Sequence, residues 1–189
     1  MRSLNETTQL IRDVHKRLRG LLRQLDGLDL RGLELYRAVI LELCLEAQVY
    51  IELEERVLFP RLHDLIKERA GGGETPASEY IHQSFSEHRE IVGLIRAIRP
   101  ELGQSAGNLR REVGENLEEL RSILEGHMYA DERELLPLME RYFPTLDAEL
   151  SMKWFDTSDE IRARIGATNP SQPSHAQNPH GGEQKRKAS

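Results

Sequence analysis

His127 and Asp131 stand four residues apart, so on a helix they lie one above the other and offer an imidazole nitrogen and a carboxylate oxygen to one point. The surrounding stretch, His127-Met128-Tyr129-Ala130-Asp131-Glu132-Arg133-Glu134-Leu135-Leu136-Pro137, has a twin in Tyr50-Ile51-Glu52-Leu53-Glu54-Glu55-Arg56-Val57-Leu58-Phe59-Pro60. Glu55/Glu132, Arg56/Arg133, Leu58/Leu135 and Pro60/Pro137 fall in register, and Tyr50 takes the place of His127. A second repeat pairs His15-Lys16-Arg17-Leu18-Arg19-Gly20-Leu21-Leu22-Arg23 with His88-Arg89-Glu90-Ile91-Val92-Gly93-Leu94-Ile95-Arg96. Imidazole and carboxylate donors together suit iron or manganese, and central carboxylates can bridge two ions.

Helical-wheel geometry selects which of these groups face inward. At about 100° per residue, Asp131 falls about 40° from His127 on the Leu120, Leu124 and Leu138 stripe, whereas Glu132 lies about 140° away. Glu54 sits at the centre of the Tyr36, Leu43, Ala47 and Leu58 stripe, and Glu55 is about 100° off it. Five polar groups, His15, Glu54, His88, His127 and Asp131, therefore point into apolar stripes. A buried carboxylate without a partner is costly or becomes protonated, so five together ask for a shared explanation, which bound metal supplies. Without metal, the same residues describe a structural bundle with hydrogen-bonded core histidines.

These side chains need helices to position them. Thr7 and Thr8 are candidate caps for a first helix carrying Leu10, Ile11, Val14, Leu18, Leu21, Leu22 and Leu25 at helical spacing. A second runs from about Leu33 to Phe59, where Pro60 stops or kinks it. Gly71-Gly72-Gly73 marks a loop, a third helix runs from about Ala77 to Ile98, and a fourth from about Asn108 to Leu136. The spacing predicts an all-α fold, an up-down-up-down four-helix bundle. A short fifth helix over 145–165 has Leu150, Met152, Trp154 and Phe155 to dock with. From residue 166 the Pro, Ser, Asn and Gln content predicts a disordered tail that includes His175 and His180.

Composition excludes several classes. A net charge of −6 lacks the basic face that nucleic acid demands. No apolar run approaches the length of a membrane span, and the first residues lack a signal-peptide core, so cytoplasmic residence is expected. The single cysteine, Cys44, forms no internal disulfide and reads as a small core residue. His63 and His82 fall off the stripes and are expected in solvent.

The four-stripe pattern resembles the hemerythrin-like, or HHE cation-binding, family over about residues 8 to 143. That family places a histidine on the first and third helices and His-x-x-x-Glu on the second and fourth. The resemblance implies a domain over 1–144 with a non-haem, oxo-bridged di-iron centre, manganese or zinc being other ions the donors accept. His15, Glu54, His88 and His127 match ligand positions, and Asp131 fills the last carboxylate position. Hemerythrins proper place that carboxylate one residue later, which keeps Glu132 as the second choice. Tyr50 departs from the family's histidine, and its phenolate can bind ferric iron. Ser84 stands where hemerythrins have another histidine, so simple oxygen transport is disfavoured. The implied partner is a small diatomic molecule (oxygen or nitric oxide) or peroxide at the metal, in a protein that carries, handles or senses these or iron itself under oxidative stress, or in a catalase-like enzyme.

Overall fold

The apolar stripes become five helical rods in the computed structural model, which describes residues 6–28, 32–70, 75–103, 106–142 and 147–167. Helix α1 spans Glu6–Gly27. Helix α2 is one continuous rod, Leu33–Leu53, then a π-helical turn over Glu54–Leu58, then Phe59–Ala70. Helix α3 spans Pro76–Glu101. Helix α4 repeats the build of α2, with Ala106–Ala130, a π turn over Asp131–Leu135, and Leu136–Tyr142. Helix α5 spans Asp147–Ala167. Among the described residues there is no strand, and the helices pack antiparallel, α1 on α2 and α3 on α4, in agreement with the all-α expectation.

Each helix of the bundle buries aliphatic residues on both sides of one polar layer. Ile11 and Leu18 flank His15, and Leu124 and Leu135 flank the layer of His127 and Asp131; all four apolar residues are fully buried. Each such side chain contributes about 1.5–3 kcal/mol by leaving water, and these layers support the polar one between them.

Pro60, expected to stop or kink its helix, does not stop it, and Pro137 does not end the fourth helix, expected to finish at about Leu136. A proline inside a helix has no N–H to donate, and its ring presses on the preceding turn. Here the preceding turn is π-wound: Phe59 N–H donates to the Glu54 carbonyl, and Leu136 N–H donates to the Asp131 carbonyl, each five residues back. The wider turn accommodates the ring, so both rods continue.

Two other boundaries differ. Thr7 and Thr8 lie inside the first turn of α1, fully buried, and Thr7 meets Ser151 of α5 at 3.2 Å. The cap at α3 is Thr75, whose hydroxyl accepts Ser78 N–H while Ser78 Oγ accepts Thr75 N–H. The Gly71–Gly73 loop lies outside the described residues.

The fifth helix covers 21 residues, Asp147–Ala167, the length of the expected 145–165 segment but displaced by two residues. It packs on α1 and α2 through buried Leu150 and Trp154, whereas Met152 and Phe155, expected to dock, are mostly exposed. Arg162 donates to both oxygens of buried Glu46 at 2.5 and 2.8 Å, and Arg56 and Glu160 pair at 3.0 Å. Arg164 pairs with Glu52. The tail expected to be disordered, with His175 and His180, lies outside the described residues from 168 onward. No helix among the described residues is long and apolar enough to cross a membrane.

Cys44 is free and fully buried, and burial pushes its thiol up to about 12. The native protein is therefore expected to leave a thiol reagent unreacted at pH 8, with one thiol per chain titrating once denaturant is added; rapid native labelling would contradict the packing.

Candidate metal centre

Three fully buried histidines present the same ring atom to the middle of the bundle. Each turns Nδ1 outward to a part-exposed glutamate: His15 to Glu132 at 3.1 Å, His88 to Glu55 at 2.9 Å and His127 to Glu87 at 2.8 Å. An ionised carboxylate only accepts hydrogen bonds, so Nδ1 carries the proton in each ring. When Nε2 carries no proton, its lone pair points inward, the orientation that a carboxylate gives a metal-binding histidine.

On α2, α3 and α4 these lone pairs converge with a carboxylate. His88 Nε2 and His127 Nε2 are 3.1 Å apart, and Glu54 Oε2 lies 3.1 Å from the first and 3.0 Å from the second. Three acceptors facing one another at this distance repel unless positive charge lies among them. Ligands at right angles around one ion, with bonds of about 2.0–2.1 Å, are about 3 Å apart. Two imidazoles and one carboxylate on one face also form the donor set that suits non-haem iron. The residues present thus fit a metal ion.

A second group lies beside the first. His15 Nε2 is 3.0 Å from the Tyr50 hydroxyl and 3.2 Å from Asp131 Oδ2. The Tyr50 hydroxyl reaches Asp131 Oδ2 at 2.6 Å and Glu54 Oε1 at 2.8 Å. Glu54 therefore shows one oxygen to each group. Tyr80 donates to Asp131 Oδ1, which fixes the direction of that carboxylate. Phe59 stacks on the His88 ring at 5.7 Å, so the residue released by the π turn also buttresses a histidine.

The electrostatics follow from burial and from these neighbours. Burial pushes the Tyr50 hydroxyl well above its ordinary 10, and the Asp131 and Glu54 charges add to this, so metal-free Tyr50 is a neutral phenol. Burial also raises Tyr80, with Asp131 as its nearest charge. For His88, burial opposes the charge, but the hydrogen bonds to Glu54 and Glu55 outweigh it and raise the ring above 6.5. His127 is raised further against the same penalty, chiefly by the Asp131 charge and the bond to Glu54. Burial pushes Glu54 up, yet the bonds from His127 and His88 hold it at about 2.

The structure brings together His15, Tyr50, Glu54, His88, His127 and Asp131, six of the seven sequence candidates. It places Glu132 behind His15, where its Oε1 also takes a 2.7 Å bond from Arg19. Sequence reading missed Glu55, Glu87 and Tyr80. Tyr80 lies eight residues before His88, about 80° round the helix, at the edge of the same stripe. Ser84 directs its hydroxyl to the Tyr80 carbonyl in its own helix. His63 and His82 are exposed, as expected.

Comparison with known proteins agrees with this arrangement. The family described as Hemerythrin HHE cation binding domain matches residues 6–139. Searches of curated proteins and of solved structures return no match.

The titrating groups give opposite pH dependences in chelator-treated protein. His88 and His127 have raised values, so their stabilisation is complete below 6.5 and is lost as pH climbs through the folded values. Glu54 is depressed, so its share is present above 4.5 and is lost as pH falls towards about 2. Calorimetry of metal-free protein should therefore show the highest melting temperature between pH 4.5 and 6.5 and a decline on the alkaline side; a melting temperature that rises steadily from pH 6 to 9 would refute it.

Proposed function

Because the chain belongs to the hemerythrin HHE cation-binding family, we propose that it holds a pair of iron ions in this layer and uses them to handle or sense a small oxidant or diatomic molecule. Glu54, His88 and His127 would hold one ion, and His15, Tyr50 and Asp131 the other, with Glu54 between them. The observation that carries this reading is the shared orientation of three histidines, each with Nδ1 tied to a carboxylate and Nε2 turned into the same buried layer. Bound iron would supply electron transfer and Lewis acidity to a small guest. The chain supplies the rest: Tyr80 orients Asp131, the aliphatic layers exclude water, and Tyr50 has one proton to share between two carboxylates.

Tyr50 directs the choice among functions. Its hydroxyl can lose its proton only where a cation offsets the Asp131 and Glu54 charges, and a phenolate favours the oxidised metal. Reversible oxygen carriage requires the reduced metal to be restored, so sensing or handling fits the site better than transport. A second reading has one observation behind it. The Tyr50 hydroxyl is already within hydrogen-bonding distance of His15, Glu54 and Asp131, as in a metal-free interaction bundle.

Elemental analysis with an optical spectrum separates the two, with about two irons per chain expected for the family site. A visible phenolate band should disappear in Tyr50→Phe; a colourless, iron-free protein from iron-rich medium would reject the metal reading. At one hundred times its dissociation constant, the metal should add about 2.7 kcal/mol, or roughly 5–10 °C of melting temperature, and Glu54→Gln should remove that increment. Glu87→Gln should weaken metal binding by about 10–100-fold through its effect on His127; unaltered affinity would show that this carboxylate does not support the ligand.

A further inference from the structure

Among the described residues, cavities open between the helices at two places that bear on the centre, and one of them is lined by Tyr50. The larger, about 310 Å³, lies between α1 and α4 and stops at Arg19, behind Glu132. The other, about 230 Å³, lies between α1, α2 and α5. Its inner wall is Val14, Val49, Leu53 and Trp154, together with Tyr50.

We propose that this second cavity is the inlet by which a small uncharged apolar molecule, of the dioxygen or nitric oxide class, reaches the Tyr50 side of the centre, a proposal that rests on the metal reading above. The chemistry of the wall selects the guest. The only polar side-chain atom of Tyr50 is its hydroxyl, which is directed to Glu54 and Asp131. The apolar lining therefore offers mainly hydrocarbon and aromatic ring, with the Trp154 indole N–H as a donor. A peroxide, an anion or a water molecule would give up most of its hydrogen bonds there, whereas an apolar diatomic gives up none. The charged groups of the lining have partners, since buried Glu46 accepts two bonds from Arg162 and lies 3.2 Å from Arg17, and Asp13 accepts from Gln9. They do not recruit a charged guest.

Helix α5 makes this space a cavity. It supplies Trp154, Phe155, Ser158 and Arg162 to the wall, and it lies beyond the segment 6–139 that matches the family. The Trp154 and Tyr50 rings are 6.5 Å apart, so the guest reaches Tyr50 alongside Trp154. Without α5 the same apolar wall would be open surface.

Trp154 is the only tryptophan in the chain, so its emission reports on the cavity with or without iron. Xenon, a heavy-atom quencher that enters dry apolar cavities, should quench metal-free full-length protein saturably, and by at least about threefold less in Val14→Phe and in Leu10→Phe. Both positions are part-buried, and a melting curve identifies a variant that fails to fold, leaving the other to decide. In iron-loaded protein the same variants should slow nitric oxide association by about tenfold without changing iron content. Unsaturable or undiminished quenching would overturn the inlet, and so would normal iron content with unaltered association. Absence of iron would overturn the metal reading and the inlet with it, and the iron assay separates that failure from the others.

Discussion

The bundle is organised around a repulsion. Glu54 Oε2, His88 Nε2 and His127 Nε2 face one another at 3.0–3.1 Å in the buried interior, and the carboxylates behind the rings keep Nε2 aimed inward. Like charges and lone pairs interact strongly where the surroundings screen poorly. A bound cation relieves the conflict, and without one, protons on His88 and His127 do so by hydrogen bonding to Glu54. Metal binding at such a site is therefore an exchange of metal for protons as much as a capture. The aliphatic layers above and below make the arrangement tolerable, because they supply the folding free energy that this layer does not.

The backbone meets the same demand. A regular α-helix would carry Glu55 and Glu132 out toward solvent, but the π turns over Glu54–Leu58 and Asp131–Leu135 rotate the chain differently from the 100° rule. Glu55 and Glu132 thereby swing round to hold His88 and His15, while Glu54 and Asp131 stay central. Pro60 and Pro137 belong to the same device, since they follow the turn whose carbonyls they cannot satisfy. One local irregularity, used twice, places both an inner and an outer carboxylate.

How much of this was legible from the sequence follows from where periodicity holds. The bundle helices and the inward positions of His15, Glu54, His88, His127 and Asp131 obey a constant wheel, so spacing alone identified them. The wheel failed at Glu55, because a π turn leaves no mark in the pattern of apolar residues. It failed also for the prolines, whose usual meaning is a break. Glu87 was invisible for a different reason: it acts across a helix interface, and no spacing within α3 shows that His127 of α4 lies opposite. Arg162 with Glu46, 116 residues apart, is the same kind of contact.

The two hairpins are interlaced across the polar layer. His15 of the first is held by Glu132 of the second, His88 of the second by Glu55 of the first, and each group of donors draws from both. Neither hairpin contains a usable half of the centre. If the internal repeat arose by duplication, the single-hairpin ancestor could have assembled such a centre only as a symmetric homodimer, with both donor groups made of identical residues. Within one chain that requirement lapses, so the two halves are free to differ, as they do in carrying histidine at 127 and tyrosine at 50.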